Sequence, residues 1–142
     1  MMMRISLIAS AALVGLAATG CMTMKPKGET YSATLAASPG VTSAGKGTGT
    51  FSYAAETHTL TYTVKYEGLS GPATMAHIHG PAAPDANAGV VAPFPNAASP
   101  ITGTATLTDA QAAELKAGKY YVNIHTAANK GGEIRGQITP KK

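Results

Sequence analysis

The sequence has few of the residues on which disulfide-linked folds and many enzyme active sites depend. Its single cysteine, Cys21, has no intramolecular disulfide partner. Asp85 and Asp109 are the only aspartates, and Asp109 stands at a predicted helix start, so no pair of catalytic carboxylates is evident. A Gly-x-Ser-x-Gly nucleophile motif is also missing. These absences argue against a hydrolase or a glycosidase and favour a non-catalytic protein.

Charged residues are also scarce, at 13% of the chain, and the net charge is only +4. Loss of Arg4 with an export signal would lower that charge to +3. Much of the positive excess lies near the ends of the chain, at Lys25, Lys27, Lys141 and Lys142. Because no basic stripe is interleaved with aromatic residues, we expect no nucleic-acid partner.

The N-terminal residues have the pattern of an export signal. Met1–Arg4 supply a positive start, and Ile5–Ala18 form an apolar run that is too short to span a bilayer comfortably. Small residues follow at Ala18-Thr-Gly20, directly before Cys21, in an arrangement similar to a bacterial lipobox. Acylation of Cys21 would anchor the protein to a membrane.

The chain is therefore predicted to have three parts. These are a lipoprotein signal peptide at 1–20, a tether with acylated Cys21 at 21–28, and one domain at 29–142. The expected location is the outer membrane, facing the periplasm or the cell surface. Ordinary signal-peptidase cleavage would instead give a secreted protein with a free thiol.

From Glu29 onward, composition and periodicity favour strands and turns. Sixteen glycines and nine prolines accompany short alternating runs, of which His58–Tyr66 is the clearest. A capping box at Thr108–Gln111 and a stop at Gly118 predict one short helix. Between the strands, the five prolines of Pro81–Pro100 indicate a long loop that could cover the adjacent sheet face. The expected fold is all-β, an antiparallel Greek-key β-sandwich of about seven or eight strands.

The last hairpin is predicted from two runs, Lys119–Thr126 and Glu133–Ile138, which are joined by a Gly-containing turn. Alternation gives it an apolar face of Tyr120, Val122, Ile124, Ile134 and Ile138. The opposite face carries Tyr121, Asn123, His125, Glu133, Arg135 and Gln137. A symmetric turn would set His125 opposite Glu133 and Asn123 opposite Arg135.

Two sequence blocks in this region resemble a known family. The hairpin reads YVNIHT and then GGEIRGQI after a Leu115–Gly118 lead-in, and MAHIHGPA lies upstream at Met75–Ala82. Together they resemble the CHRD domain, a module named after chordin, over nearly all of 29–142. The resemblance implies an all-β extracytoplasmic domain and leaves its function open.

Histidines supply the best candidate for a functional site. His77 and His79 are two residues apart on one strand face, a separation of roughly 6.5 to 7 Å, and so can converge on one ion. His125 is predicted on the same outer face, with Glu133 as a fourth ligand or an orienting partner. Imidazole ligands suit copper or zinc.

Two alternatives to a metal-binding module remain open from the sequence. The histidines can instead belong to a structural polar ladder with Asn123 and Arg135 that fixes strand register. The domain would then be an adhesion or protein-interaction module with an envelope or extracellular partner. The histidine pattern is also similar to the copper site of copper/zinc superoxide dismutases, although the bridging histidine and the site cysteines of those enzymes have no counterpart here.

Overall fold

Eight antiparallel strands and one helix make up the fold in the computed structural model, which describes residues 28–142. They are β1 (Glu29–Ala37), β2 (Lys46–Ala54), β3 (Thr59–Glu67), β4 (Ala73–His79), β5 (Val90–Pro93), β6 (Ile101–Thr106), α1 (Asp109–Lys116), β7 (Tyr120–Thr126) and β8 (Ile134–Pro140). Their order across the sheet is β5-β4-β7-β8-β1-β2-β3-β6. The chain therefore passes between strands that are not neighbours after β3, after β5 and after β6, and the predicted all-β antiparallel fold is confirmed.

The two layers of the sandwich are halves of one continuous sheet. Strand β8 joins them, because Arg135 is the register partner of Asn123 in β7 and of Ala36 in β1. The sheet then folds over its own apolar side, and the rings of Tyr62 and Phe94 meet at a centroid distance of 4.4 Å. This contact joins β3 to the segment after β5, which nearly closes the sheet around the core.

The core follows the alternation read from the sequence. In β3, Leu60, Tyr62 and Val64 are buried while the threonines between them face outward. The apolar face predicted for the last hairpin is likewise buried throughout. Burial of these side chains supplies the main driving force for folding.

Helix α1 begins and ends where its signals predict. Thr108 is the N-cap and forms a capping box with Gln111, and Gly118 adopts a φ of 71° just beyond the C-cap. The predicted loop at Pro81–Pro100 differs in one respect, because it contains β5. That short strand pairs with β4, which already carries His77 and His79.

The outer face of β7 is covered as completely as its core face. Every residue of β7 is buried, because the segment before β5 and the turn after β7 pack over the side that faces away from the core. The β7 side of the candidate site therefore lies beneath a covering of loops, whereas His77 and His79 on β4 are half-buried.

The predicted signal peptide and Cys21 lie outside the described residues. Within 28–142, no helix has the length and apolarity needed to span a membrane.

Candidate metal centre

Strands β4 and β7 place the three candidate histidines on the same side of the sheet. Ala76 and Ile78 point into the core, so His77 and His79 point to the opposite face of β4. His125 occupies the same face of β7, where it is the register partner of Met75. Because β4 and β7 are direct neighbours, the predicted convergence of the three histidines is confirmed.

The three rings form a compact cluster. His77 Nδ1 and His125 Nε2 are 3.1 Å apart, and one ligand nitrogen from each of the three rings lies within 4.8 Å of the others. The ring of His79 lies 5.4 Å from that of His77 and 5.9 Å from that of His125, between centroids. This proximity brings three potential nitrogen ligands to one place.

Two backbone carbonyls fix which ring nitrogens carry protons. His79 Nδ1 donates to Ala88 O at 2.9 Å, and His125 Nδ1 donates to Lys130 O at 2.8 Å. In each neutral ring the remaining Nε2 must then carry the lone pair. Metal-binding histidines usually donate the N–H of their other ring nitrogen to a carbonyl or carboxylate in this way.

Charge and burial keep the cluster suited to binding metal. Burial lowers the pKa of His77, and the neighbouring His125 and His79 lower it further. Burial also lowers the pKa of His79. The hydrogen bond to Ala88 raises this pKa, whereas His125 and Arg135 lower it further. Both rings are therefore neutral at pH 7, which is the form that binds a metal ion.

The distances fit one transition-metal ion with a small adjustment. At metal–nitrogen bonds of about 2.0 to 2.1 Å, two ligand nitrogens of a tetrahedral or trigonal site are about 3.3 to 3.6 Å apart. The separation of 3.1 Å between His77 Nδ1 and His125 Nε2 is close to that range. The widest separation in the cluster, up to 4.8 Å, exceeds the range by roughly 1.2 to 1.5 Å, which the movement of two rings would close.

Tyr121 and Arg135 support the cluster from one side. The Tyr121 ring stacks on His79 at a centroid distance of 5.2 Å, and the Arg135 guanidinium lies 3.6 Å from the Tyr121 ring centre. Strands β4 and β8 flank β7 on opposite sides, so the tyrosine ring lies between the two. Its hydroxyl also accepts a hydrogen bond from Ala88 N at 3.1 Å. The stack thereby joins His79 to the covering loop.

Glu133 lies in a different cluster from the histidines, which corrects its predicted place beside His125. Its carboxylate accepts hydrogen bonds of 2.6 to 2.8 Å from Ser43, from the backbone and hydroxyl of Ser70, and from Thr126. Asn129 adds a longer one at 3.3 Å. Burial raises the pKa of this carboxyl, but the hydrogen bonds from Ser43, Ser70 and Thr126 outweigh that effect and lower the pKa to about 2. Glu133 thus ties three loops together as a buried anion.

The register predicted for Asn123 and Arg135 is confirmed, but the two side chains do not form a ladder with each other. Asn123 donates to Gly131 O at 3.0 Å. Arg135 donates to Ala86 O at 2.9 Å and to the Asn87 side chain at 3.2 Å. Both residues therefore hold loops over the sheet.

Sequence reasoning missed the carbonyls of Ala88 and Lys130 that orient the cluster. Backbone acceptors carry no side-chain signature, so only the folded loops reveal them. The stacking of Tyr121 was also missed, although its position on the histidine face was predicted. The predicted outer-face position of Tyr121 was the sequence signal that could have indicated this contact.

Comparison with protein-family models identifies the family of this chain. The family model for the CHRD domain matches residues 31–138, which is most of the chain, and the protein belongs to that family. Searches of curated proteins and of solved structures gave no significant match.

Proposed function

We propose that this protein is a non-catalytic cell-envelope lipoprotein whose CHRD domain binds one copper or zinc ion through His77, His79 and His125. The observation that carries the proposal is the Nε2 atom of His79, which is buried and has no hydrogen-bond partner. A buried polar atom without a partner is costly, and a structural ladder would satisfy it. A metal ion bound at this position would accept the lone pair of His79 Nε2.

The arrangement of the fourth histidine supports a binding role over a dismutase-like reaction. His58 is the only other histidine in the sequence, and it lies beside Asp109 with Nδ1 and Oδ1 3.4 Å apart. No second metal-binding group of histidine, cysteine and carboxylate side chains accompanies the cluster in residues 28–142. We therefore favour a carrier or sensor of the ion.

The envelope location is supported by the sequence before the domain. The export-signal pattern of residues 1–20 and the lipobox-like position of Cys21 are the features that point to it. Radiolabelled fatty acid incorporation in the parent, and its loss in Cys21→Ser, would test this part of the proposal. Labelling that is equal in the two proteins would contradict lipidation at Cys21.

Metal binding can be tested on a chain that begins at Lys25, since the eight described strands, the helix and the hydrophobic core all lie after that residue. Metal content and copper and zinc titrations would be compared with a variant that carries His77→Ala, His79→Ala and His125→Ala. We expect about one ion per parent molecule and a loss of affinity of roughly 100-fold or more in the variant. Removal of the ligands should cost more than the roughly 10- to 100-fold lost when only the hydrogen-bond partner of a ligand is removed.

His58→Asn is the matched control, because it also removes a histidine but lies outside the cluster. Asparagine tolerates the φ of 53° at this position. The control should bind metal as the parent does, and circular dichroism should show that all variants are folded. Equal and weak binding by the parent and the triple variant would contradict the metal proposal. The domain would then be better described as an interaction module with structural histidines.

A further inference from the structure

Met75 lies beside the histidine cluster, where a methionine is unexpected. It shares the outer face of β4 with His77 and His79, and its register partner across the strand pair is His125. Directly opposed residues have Cβ atoms about 4.5 to 5.5 Å apart, within reach of a methionine side chain. Met75 is thus the immediate neighbour of two of the three imidazoles.

The second observation is that the Met75 side chain is exposed to solvent. Most large apolar side chains of the described domain are in the core, but 51% of Met75 is exposed. It lines a surface cleft of about 310 Å³ together with His77, Phe94 and Pro95. Met75 and His77 therefore border the same surface cleft. Burial therefore does not account for a methionine at this position.

The charge around the cluster favours an ion of low charge. The three imidazoles are uncharged when they bind a metal, and the nearby carboxylate of Glu133 is engaged by its own five donors. The Arg135 guanidinium lies 3.6 Å from the centre of the Tyr121 ring, and that ring stacks on His79 at a centroid distance of 5.2 Å. A fixed positive charge repels a divalent cation about twice as strongly as a monovalent one at the same place.

We propose that the Met75 thioether is a fourth ligand and makes the cluster a copper(I) site that discriminates against zinc. The inference rests on the proposed metal-binding function. A thioether is a soft ligand that suits copper(I), whereas zinc takes thiolate, imidazole and carboxylate ligands. Three neutral nitrogens and one neutral sulfur leave the single positive charge of the ion uncompensated, so the site suits copper(I) better than a divalent ion.

The test is the Met75→Leu substitution in the chain that begins at Lys25, because leucine keeps the volume and removes the sulfur. Copper(I) affinity would be measured without oxygen, in the presence of a reductant, by competition with a chromogenic chelator. Zinc affinity would be measured by a parallel competition. We expect copper(I) affinity to fall by roughly tenfold or more and zinc affinity to change less than about twofold.

Val90→Ala is the matched control. Among residues 28–142, Val90 is the other exposed large apolar residue, at 53%, and it is the register partner of His79, but it has no ligand atom. It should leave copper(I) affinity unchanged. X-ray absorption of the copper(I) form should show a sulfur neighbour of the metal in the parent and in Val90→Ala, and none in Met75→Leu.

The outcomes separate this inference from the function on which it rests. Copper(I) binding that is equally tight in Met75→Leu, with no sulfur neighbour in the parent, would overturn the methionine ligand and leave the histidine site intact. A parent that binds neither copper nor zinc would overturn the proposed function, and the ligand assignment with it. Equal losses for copper(I) and zinc in Met75→Leu would contradict the discrimination.

Discussion

Replacement of Glu133 by glutamine should destabilise the domain by more than the loss of one ordinary hydrogen bond. The backbone N–H of Ser70 is a fixed donor to Oε1, whereas Oε2 accepts from the hydroxyls of Ser70 and Thr126 and from Asn129 Nδ2. Glutamine must therefore keep its carbonyl oxygen at the Oε1 position and present its NH₂ group to the three donors at the Oε2 position. The two hydroxyls can rotate and the Asn129 amide can flip to accept a hydrogen bond, but only by giving up the bonds that they donate to the carboxylate.

The expected magnitude follows from the number and type of these bonds. Hydrogen bonds to a charged group contribute about 1.5 to 3 kcal/mol each and neutral ones about 1 kcal/mol, while a buried donor without a partner costs about 1 to 3 kcal/mol. Weaker hydrogen bonds at Oε1 and the reorientation of the three donors at Oε2 together suggest a loss of about 3 kcal/mol in the free energy of unfolding. For a domain of this size that corresponds to roughly 10 °C in Tm.

Urea unfolding of the parent and Glu133→Gln would measure this loss, with Glu67→Gln as the control. Glu67 pairs with Lys46 at 3.2 Å, but both side chains are 72% exposed, so the control should lose less than about 1 kcal/mol. A Glu133→Gln protein that unfolds within about 0.5 kcal/mol of the parent would refute the assignment of a buried, charged carboxylate, since surface-like changes are of that size.

The same variant predicts a specific pH dependence. The pKa of Glu133 is about 2 in the folded state and 4.5 in its ordinary state, so the unfolded chain binds the proton first as the pH falls. Glu133 therefore contributes stability above pH 4.5, and that contribution is lost as the pH falls from 4.5 towards 2. The acid loss should be smaller in Glu133→Gln. Copper and zinc affinity of the folded variant should match the parent, because Glu133 lies outside the histidine cluster.

Two further predictions concern the site and the sheet. His79→Ala should weaken metal binding by roughly tenfold or more at pH 7.5. The metal affinity of the parent should fall between pH 7 and pH 5, because imidazoles must be neutral to bind a metal ion. A metal affinity that does not change with pH would contradict histidine ligation. Gly136→Ala should destabilise the domain by about 2 kcal/mol or more, since an added Cβ would overlap the backbone carbonyl of Thr34 in the neighbouring strand. Gly71→Ala, which meets no atom within 4 Å, is the control, and equal Tm values for the two glycine variants would contradict the close contact.

Local sequence signals were sufficient to predict the types of secondary-structure element and the strand face on which His77 and His79 lie. The alternation of Leu60, Tyr62 and Val64 specified a half-buried strand, because successive side chains of a strand point to opposite faces. The Thr108 capping box specified the helix start. The same alternation placed His77 and His79 on one face. These features depend on spacing along a single strand or turn, and the sequence contains that spacing.

Features that depend on which distant segments meet could not be obtained in this way. The continuous sheet through β8, the short β5 inside the proline-rich loop, and the covering of β7 all arise from pairing between remote parts of the chain. A prediction from the hairpin alone placed Glu133 beside His125. The folded loops instead bring Ser43 and Ser70 to that carboxylate, and five donors stabilise it away from the cluster.

The candidate site shows the same division. Residue spacing identified His77, His79 and His125 as candidate ligands, because the residue type and the strand face of each can be read from the sequence. Tertiary structure decided that β4 lies beside β7, that the carbonyls of Ala88 and Lys130 hold the outer ring nitrogens, and that the Nε2 atom of His79 is left without a partner. Strand order and loop placement are set by the burial of the whole core, so no local pattern around the histidines could specify them.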